Sequence, residues 1–201
     1  ISTIVYAGLT GPVKWLFFSF FGALYAPFVI TGLHHMTNAI DTQLVADTGG
    51  TGLWPMIALS NIAQGSSVFA YYLMNRHEER EAQVSLPATI SAYLGVTEPA
   101  LFGVNIKYVY PLVAGMIGSS IAGFLSVTFN VTANAIGIGG LPGILSIKVK
   151  YMLPFFIIML VAIAVPMVLT VFFRRINFLT KSEDEAHQEK TETAKISASE
   201  K

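Results

Sequence analysis

The chain alternates long stretches without a charged residue and short polar connections. Four uninterrupted runs, Trp15–Ile40, Thr48–Asn75, Tyr108–Ile147 and Tyr151–Phe173, are 26, 28, 40 and 23 residues long. About 20 apolar residues in a helix cross a bilayer, so each run can hold a spanning helix. Two shorter runs, Ile1–Val13 and Ala82–Thr97, contain glycine or proline and are too short to span. Interrupted apolar segments of this kind form re-entrant hairpins and point to a transporter's binding site; the competing reading is an interfacial or connecting segment. The 40-residue run cannot be one helix, because Asn130, Asn134, Gly137, Gly139, Gly140, Pro142 and Gly143 break it. It reads as a span over Tyr108–Thr128 followed by a Gly-rich connection over Phe129–Lys150. The pattern predicts an all-α integral membrane fold with about four transmembrane helices plus two short re-entrant hairpins, occupying residues 1–173.

Composition sharpens this division. The 201 residues are 53% hydrophobic and 12% charged, against about a quarter charged in a soluble domain. Half of the 12 Lys+Arg and half of the 12 Asp+Glu fall after residue 173. That segment, 174–201, has too few apolar residues to fold and reads as a disordered cytoplasmic tail or linker. The zero net charge excludes the basic excess of a nucleic-acid binder. The lack of cysteine excludes a disulfide scaffold and a zinc-thiolate site. The glycine cluster at 137–143 lacks the Lys-Ser/Thr of a phosphate loop, and no cofactor is expected. With alternating spans and a cytoplasmic tail, Lys14, Arg76, Arg80 and Lys107 share the inner side with Arg174 and Arg175. Lys148, Lys150, Asp41 and Asp47 then face outward, as the positive-inside rule requires. Arg76-His77-Glu78-Glu79-Arg80-Glu81 reads as a solvated connection, and Trp54 and Tyr71-Tyr72 as an aromatic belt.

Polar groups inside apolar runs are costly and mark function. His34, Asn38 and Asp41 stand at i, i+4 and i+7, on one face of a helix. A ring donor, an amide and a carboxylate suit sugar hydroxyls, which both donate and accept. His35 beside His34 points about 100° away, so the pair does not converge on a metal ion and none is expected. The competing reading sets both histidines in the headgroup region. The second place is Gly95-Val96-Thr97-Glu98-Pro99, where Gly95 permits a bend and Pro99 biases Glu98 away from helical geometry. Broken backbone at membrane depth survives only packed in protein or lining a wet cavity. The break and the carboxylate together mark a site. Its candidate substrate-binding residues are His34, His35, Asn38, Asp41, Thr97 and Glu98, with Glu98 the catalytic candidate.

Thr31-Gly32-Leu33-His34-His35, followed by Gly95-Val96-Thr97-Glu98-Pro99, resembles enzyme IIC, the membrane component of the phosphoenolpyruvate-dependent sugar phosphotransferase system, glucose superfamily. The wording around the motifs, Met36-Thr37-Asn38-Ala39-Ile40-Asp41 and Ala92-Tyr93-Leu94, is most similar to trehalose permeases of the sucrose/β-glucoside/trehalose branch. Glucose- and maltose-type members carry Asn-Arg where this chain has Tyr25-Ala26. The resemblance implies the C-terminal, transport portion of a longer permease in the bacterial cytoplasmic membrane, dimerising through a scaffold half. It implies a disaccharide held by Glu98 and His34 and phosphorylated by a phosphocysteine on enzyme IIB, within a sugar phosphotransferase complex. The rival class is an ion- or proton-coupled secondary sugar transporter, in which Glu98 and His34 shuttle protons.

Overall fold

The computed structural model describes Gly11 and residues 14–179, and everything described is helical or irregular apart from two isolated bridges. Ile1–Val13, apart from Gly11, and most of the 174–201 tail lie outside the described residues. In chain order the helices are α1 (Lys14–Ile30), α2 (His34–Thr48), α3 (Leu53–Asn75), α4 (Glu79–Tyr93), α5 (Glu98–Ala100), α6 (Ile106–Tyr108), α7 (Tyr110–Thr128) and α8 (Met152–Arg175). A π-helical turn, Leu101–Asn105, joins α5 to α6, and 3₁₀ turns Leu141–Ser146 and Val149–Tyr151 lead into α8.

The first long run is two helices, not one span. It breaks at Thr31-Gly32-Leu33, where Gly32 has φ 76°, a conformation that strains residues carrying a Cβ. The Thr31 hydroxyl donates back to the carbonyls of Pro27 and Phe28, closing the end of α1. Lys14 at the start of α1 and Thr48 at the end of α2 line one cavity, so the two helices form a hairpin with both outer ends together.

The second hairpin is α4 and its return through α5 and α6. Its tip is Leu94–Thr97, with Gly95 at φ 99°. Its outer ends meet where Lys107 Nζ approaches Glu81 Oε1 at 3.3 Å. Glu81 also accepts a hydrogen bond from Tyr71 Oη at 3.1 Å, and Tyr71 stacks on Tyr108 at 4.6 Å between ring centres. Glu81 is therefore buried and doubly bonded, although its polar neighbourhood reads as solvated in sequence. Burial works against the Lys107 ammonium, but Tyr108 and Glu81 outweigh it and hold its pKa above the ordinary lysine value.

The α3 helix is the central post, buried over nearly its whole length and packed on α4, α7 and α8. It carries Ser60, Asn61, Gln64, Ser66 and Ser67 inside the protein. These polar groups explain why α3 is not among the helices apolar enough to cross a membrane by length and composition. Two among the described residues are, Tyr110–Thr128 and Val149–Arg175. Small residues let α1 and α7 approach closely and antiparallel. Ser119 Oγ donates to the Gly22 carbonyl at 2.7 Å, and a Cβ on Gly123 would stand 2.6 Å from the Phe18 carbonyl.

That antiparallel pairing corrects the expected position of Lys14. Its ammonium reaches Asn130 Oδ1, just beyond the end of α7, at 3.3 Å. It therefore lies at the end of the molecule that holds Lys148, opposite Arg76, Arg80 and Lys107. Counting Trp15–Ile40 as one span reversed the direction of α1. The connection after α7 is pinned by the Thr51–Ala133 and Ala133–Ile147 bridges and then reaches inward to Gly139 and Gly140.

Candidate functional site

His34 and Glu98 occupy equivalent places. Each is the first helical residue after a turn that contains a glycine at positive φ, Gly32 in one hairpin and Gly95 in the other. The hairpins enter from opposite ends of the molecule and meet tip to tip, which brings together residues 64 positions apart. His34 Nε2 stands 3.9 Å from Glu98 Oε1, too far for a direct hydrogen bond. A hydroxyl oxygen about 2.8 Å from each can sit against both.

A cavity of about 180 Å³ opens at this junction. Its lining includes His34, Asn38, Thr97 and Glu98 from the expected set. Half of the Glu98 side chain is exposed (46%), while His34 is mostly covered (15%). Thr97 is buried at the N-terminal flank of α5, and its carbonyl accepts from the Leu101 amide. The His34 carbonyl accepts from the Thr37 hydroxyl at 2.6 Å, which fixes the first turn of α2.

Two expected residues lie elsewhere. His35 packs against His34 with ring centres 4.0 Å apart and the rings tilted by 37°, and it is exposed outside the cavity lining. Asp41 is fully buried and accepts a hydrogen bond from the Thr51 hydroxyl. That hydroxyl in turn accepts from the Leu53 amide at 3.1 Å. The Trp54 amide also bonds the Asp41 carboxylate. Asp41 thus closes the N-terminus of α3, where amide donors have no partner within the helix. Positions 34 and 41 share a face, but seven residues are about 10 Å of helix axis, and Asp41 is not in the cavity lining.

Sequence reasoning also missed part of the lining, namely Tyr25, Trp54 and Asn61. Trp54 is 7% exposed, so it belongs to the site wall and not to an aromatic belt. Tyr25, marked in the sequence as a departure from Asn-Arg, lines the cavity from α1. Asn61 donates from Nδ2 to the Gly95 carbonyl at 3.2 Å. A buried amide in a charge-free run was the signal that could have found it. No group of three or more potential metal ligands occurs among the described residues.

The model of the family described as "Phosphotransferase system, EIIC" matches residues 1–119. The chain is 53% identical over 165 residues to the trehalose-specific EIIBC component of Escherichia coli strain K12, covering 82% of the chain and 34% of that protein. It is 45% identical over 156 residues to the trehalose-specific EIIBC component of Bacillus subtilis strain 168, covering 77% and 33%. It is 44% identical over 176 residues to the sucrose-specific EIIBC component of Pasteurella multocida strain Pm70, covering 84% and 37%. The chain thus spans about a third of the length of these curated relatives. No solved structure matches.

Proposed function

The chain belongs to the phosphotransferase system EIIC family, and on that premise we propose that it is the sugar-binding transport part of a multi-pass bacterial permease. Its substrate is a disaccharide of the trehalose or sucrose kind, trehalose first, because the trehalose-specific component of Escherichia coli, at 53% identity, is more similar than the sucrose-specific relatives. Uptake is coupled to phosphorylation by a phosphocysteine of enzyme IIB, a partner consistent with the "EIIBC" names of those relatives. Residues 1–173 form the membrane domain and 174–201 a polar cytoplasmic tail or linker. The two hairpins are re-entrant, and the end carrying Arg76, Arg80, Lys107, Arg174 and Arg175 faces the cytoplasm.

The observation that carries this reading is the facing of Glu98 and His34 across a polar-walled cavity at the hairpin tips. Phosphoryl transfer depends chiefly on alignment and charge stabilisation. A sugar hydroxyl lodged between the two side chains accepts from His34 Nε2–H and donates to the Glu98 carboxylate. The hydroxyl oxygen then attacks phosphorus, the P–S bond to the cysteine breaks, and the proton passes to Glu98. Thr97 and Asn38 supply further polar contacts on either side of this pair, and the chain itself provides no phosphoryl carrier.

Glu98→Gln in the complete permease is expected to abolish disaccharide binding or to lower the phosphorylation rate by roughly 100-fold or more. Vesicle uptake is the measurement. It should require phosphoenolpyruvate and the soluble phosphotransfer proteins and survive an uncoupler. Undiminished uptake and phosphorylation in the variant would overturn the role of Glu98, and collapse on uncoupling would favour a symporter.

A further inference from the structure

We propose that Asn61, on the central helix α3, is a specificity-determining residue of the sugar site, contributing an acceptor that the two sequence motifs do not contain. The inference rests on the sugar-binding reading above. Asn61 is 5% exposed and lines the cavity between the hairpin tips. Its amide orientation is fixed, because Nδ2 donates to the Gly95 carbonyl at the tip of the second hairpin. With Nδ2 so placed, Oδ1 accepts no hydrogen bond among the described residues. Oδ1 is not sealed off by protein atoms, so a ligand hydroxyl entering the cavity that Asn61 lines can donate to it.

The Gly-rich connection and the hairpin tip both pack on this amide. A Cβ on Gly139 would stand 2.6 Å from Asn61 Nδ2, so the Gly-rich connection packs close against the amide because position 139 is glycine. A Cβ on Gly95 would stand 2.8 Å from Gly139, so the hairpin tip is seated on the same connection. On α3, Trp54 and Asn61 are seven residues apart and share a face. The motifs place Glu98 and His34 on the hairpins, and α3 adds a wall that does not belong to either one. A hydroxyl that meets Glu98 and His34 is the one to be phosphorylated; a hydroxyl that meets Asn61 Oδ1 sets how the ring is turned.

The test pairs protein and ligand changes in the complete permease, using calorimetric binding of trehalose and its monodeoxy analogues. In the wild type, one monodeoxy analogue should bind roughly tenfold more weakly than trehalose through loss of the Asn61 contact. Asn61→Leu should weaken trehalose by a similar factor and bind that same analogue no more weakly than it binds trehalose, a coupling only a direct contact gives. Asn61→Ser, a smaller polar change, is run in parallel in case the leucine variant does not fold. Equal weakening of every analogue in the serine or leucine variant would assign Asn61 to seating the hairpin tip and overturn the proposal, as would unchanged affinity. If the wild type binds no disaccharide at all, the failure lies in the underlying functional reading, and the Asn61 assignment falls with it.

Discussion

Asp41 shows how far a helical face carries an argument about a single residue. The i, i+7 relation to His34 was legible, yet the two side chains lie two turns apart along the axis, and of the two only His34 lines the cavity. Nothing in the spacing says that the chain returns to Asp41 ten residues later and presents the Thr51 hydroxyl and the Trp54 amide. Asp41→Ala removes that closure of α3. It is expected to lower stability by about 1–2 kcal/mol, the range for losing a helix N-terminal cap, while disaccharide affinity stays within a few-fold of wild type. Thermal unfolding of the detergent-solubilised protein, run beside sugar binding, reads both. A variant with unchanged melting temperature and no sugar affinity would return Asp41 to the site. His34, Asn38, Thr97 and Glu98 were legible because a membrane segment has few reasons to hold such groups. Tyr25 and Trp54 were not, because an aromatic ring in an apolar run has many.

At the scale of elements, the breaks were easier to read than the directions they impose. Gly95 and Pro99 announced a turn, and the structure makes it the tip of a hairpin whose ends meet at Glu81 and Lys107. Thr31-Gly32 carried the same kind of signal, but 26 uncharged residues invited one helix. Length alone does not decide whether a glycine is tolerated within a helix or ends it. The direction of α1 is settled by its seam with α7, where glycine and serine allow backbone to touch backbone. Gly123→Val places a branched side chain where even a Cβ would be 2.6 Å from the Phe18 carbonyl. Overpacking of this kind costs about 1–3 kcal/mol. The expected result is a lower melting temperature, with residual folded protein binding sugar at near wild-type affinity, since neither seam residue lines the cavity. Unchanged stability would mean that α1 and α7 do not pack through this seam.

The whole molecule is an arrangement of two ends and a middle. Hairpins entering from opposite ends bring His34 and Glu98 together halfway, and α3 runs past both. The charges follow this plan. Arg76, Arg80, Lys107, Arg174 and Arg175 collect at one end, and Lys14 and Lys148 at the other. In the proposed orientation the first end, with its excess of basic residues, faces the cytoplasm. The chain has no cysteine of its own, so a single introduced thiol in this part of the protein reports one position. In intact cells, a membrane-impermeant maleimide is expected to label Lys14→Cys and Asn130→Cys but to spare Glu79→Cys, which should react only after the membrane is opened. Labelling of Glu79→Cys in intact cells with Asn130→Cys protected would invert the molecule. Labelling of Asn130→Cys without Lys14→Cys would instead restore α1 and α2 as one crossing, separating the ends that the Lys14–Asn130 contact joins. The hairpin arrangement predicts that these two positions always label together, because α1 enters and α2 leaves on the same side.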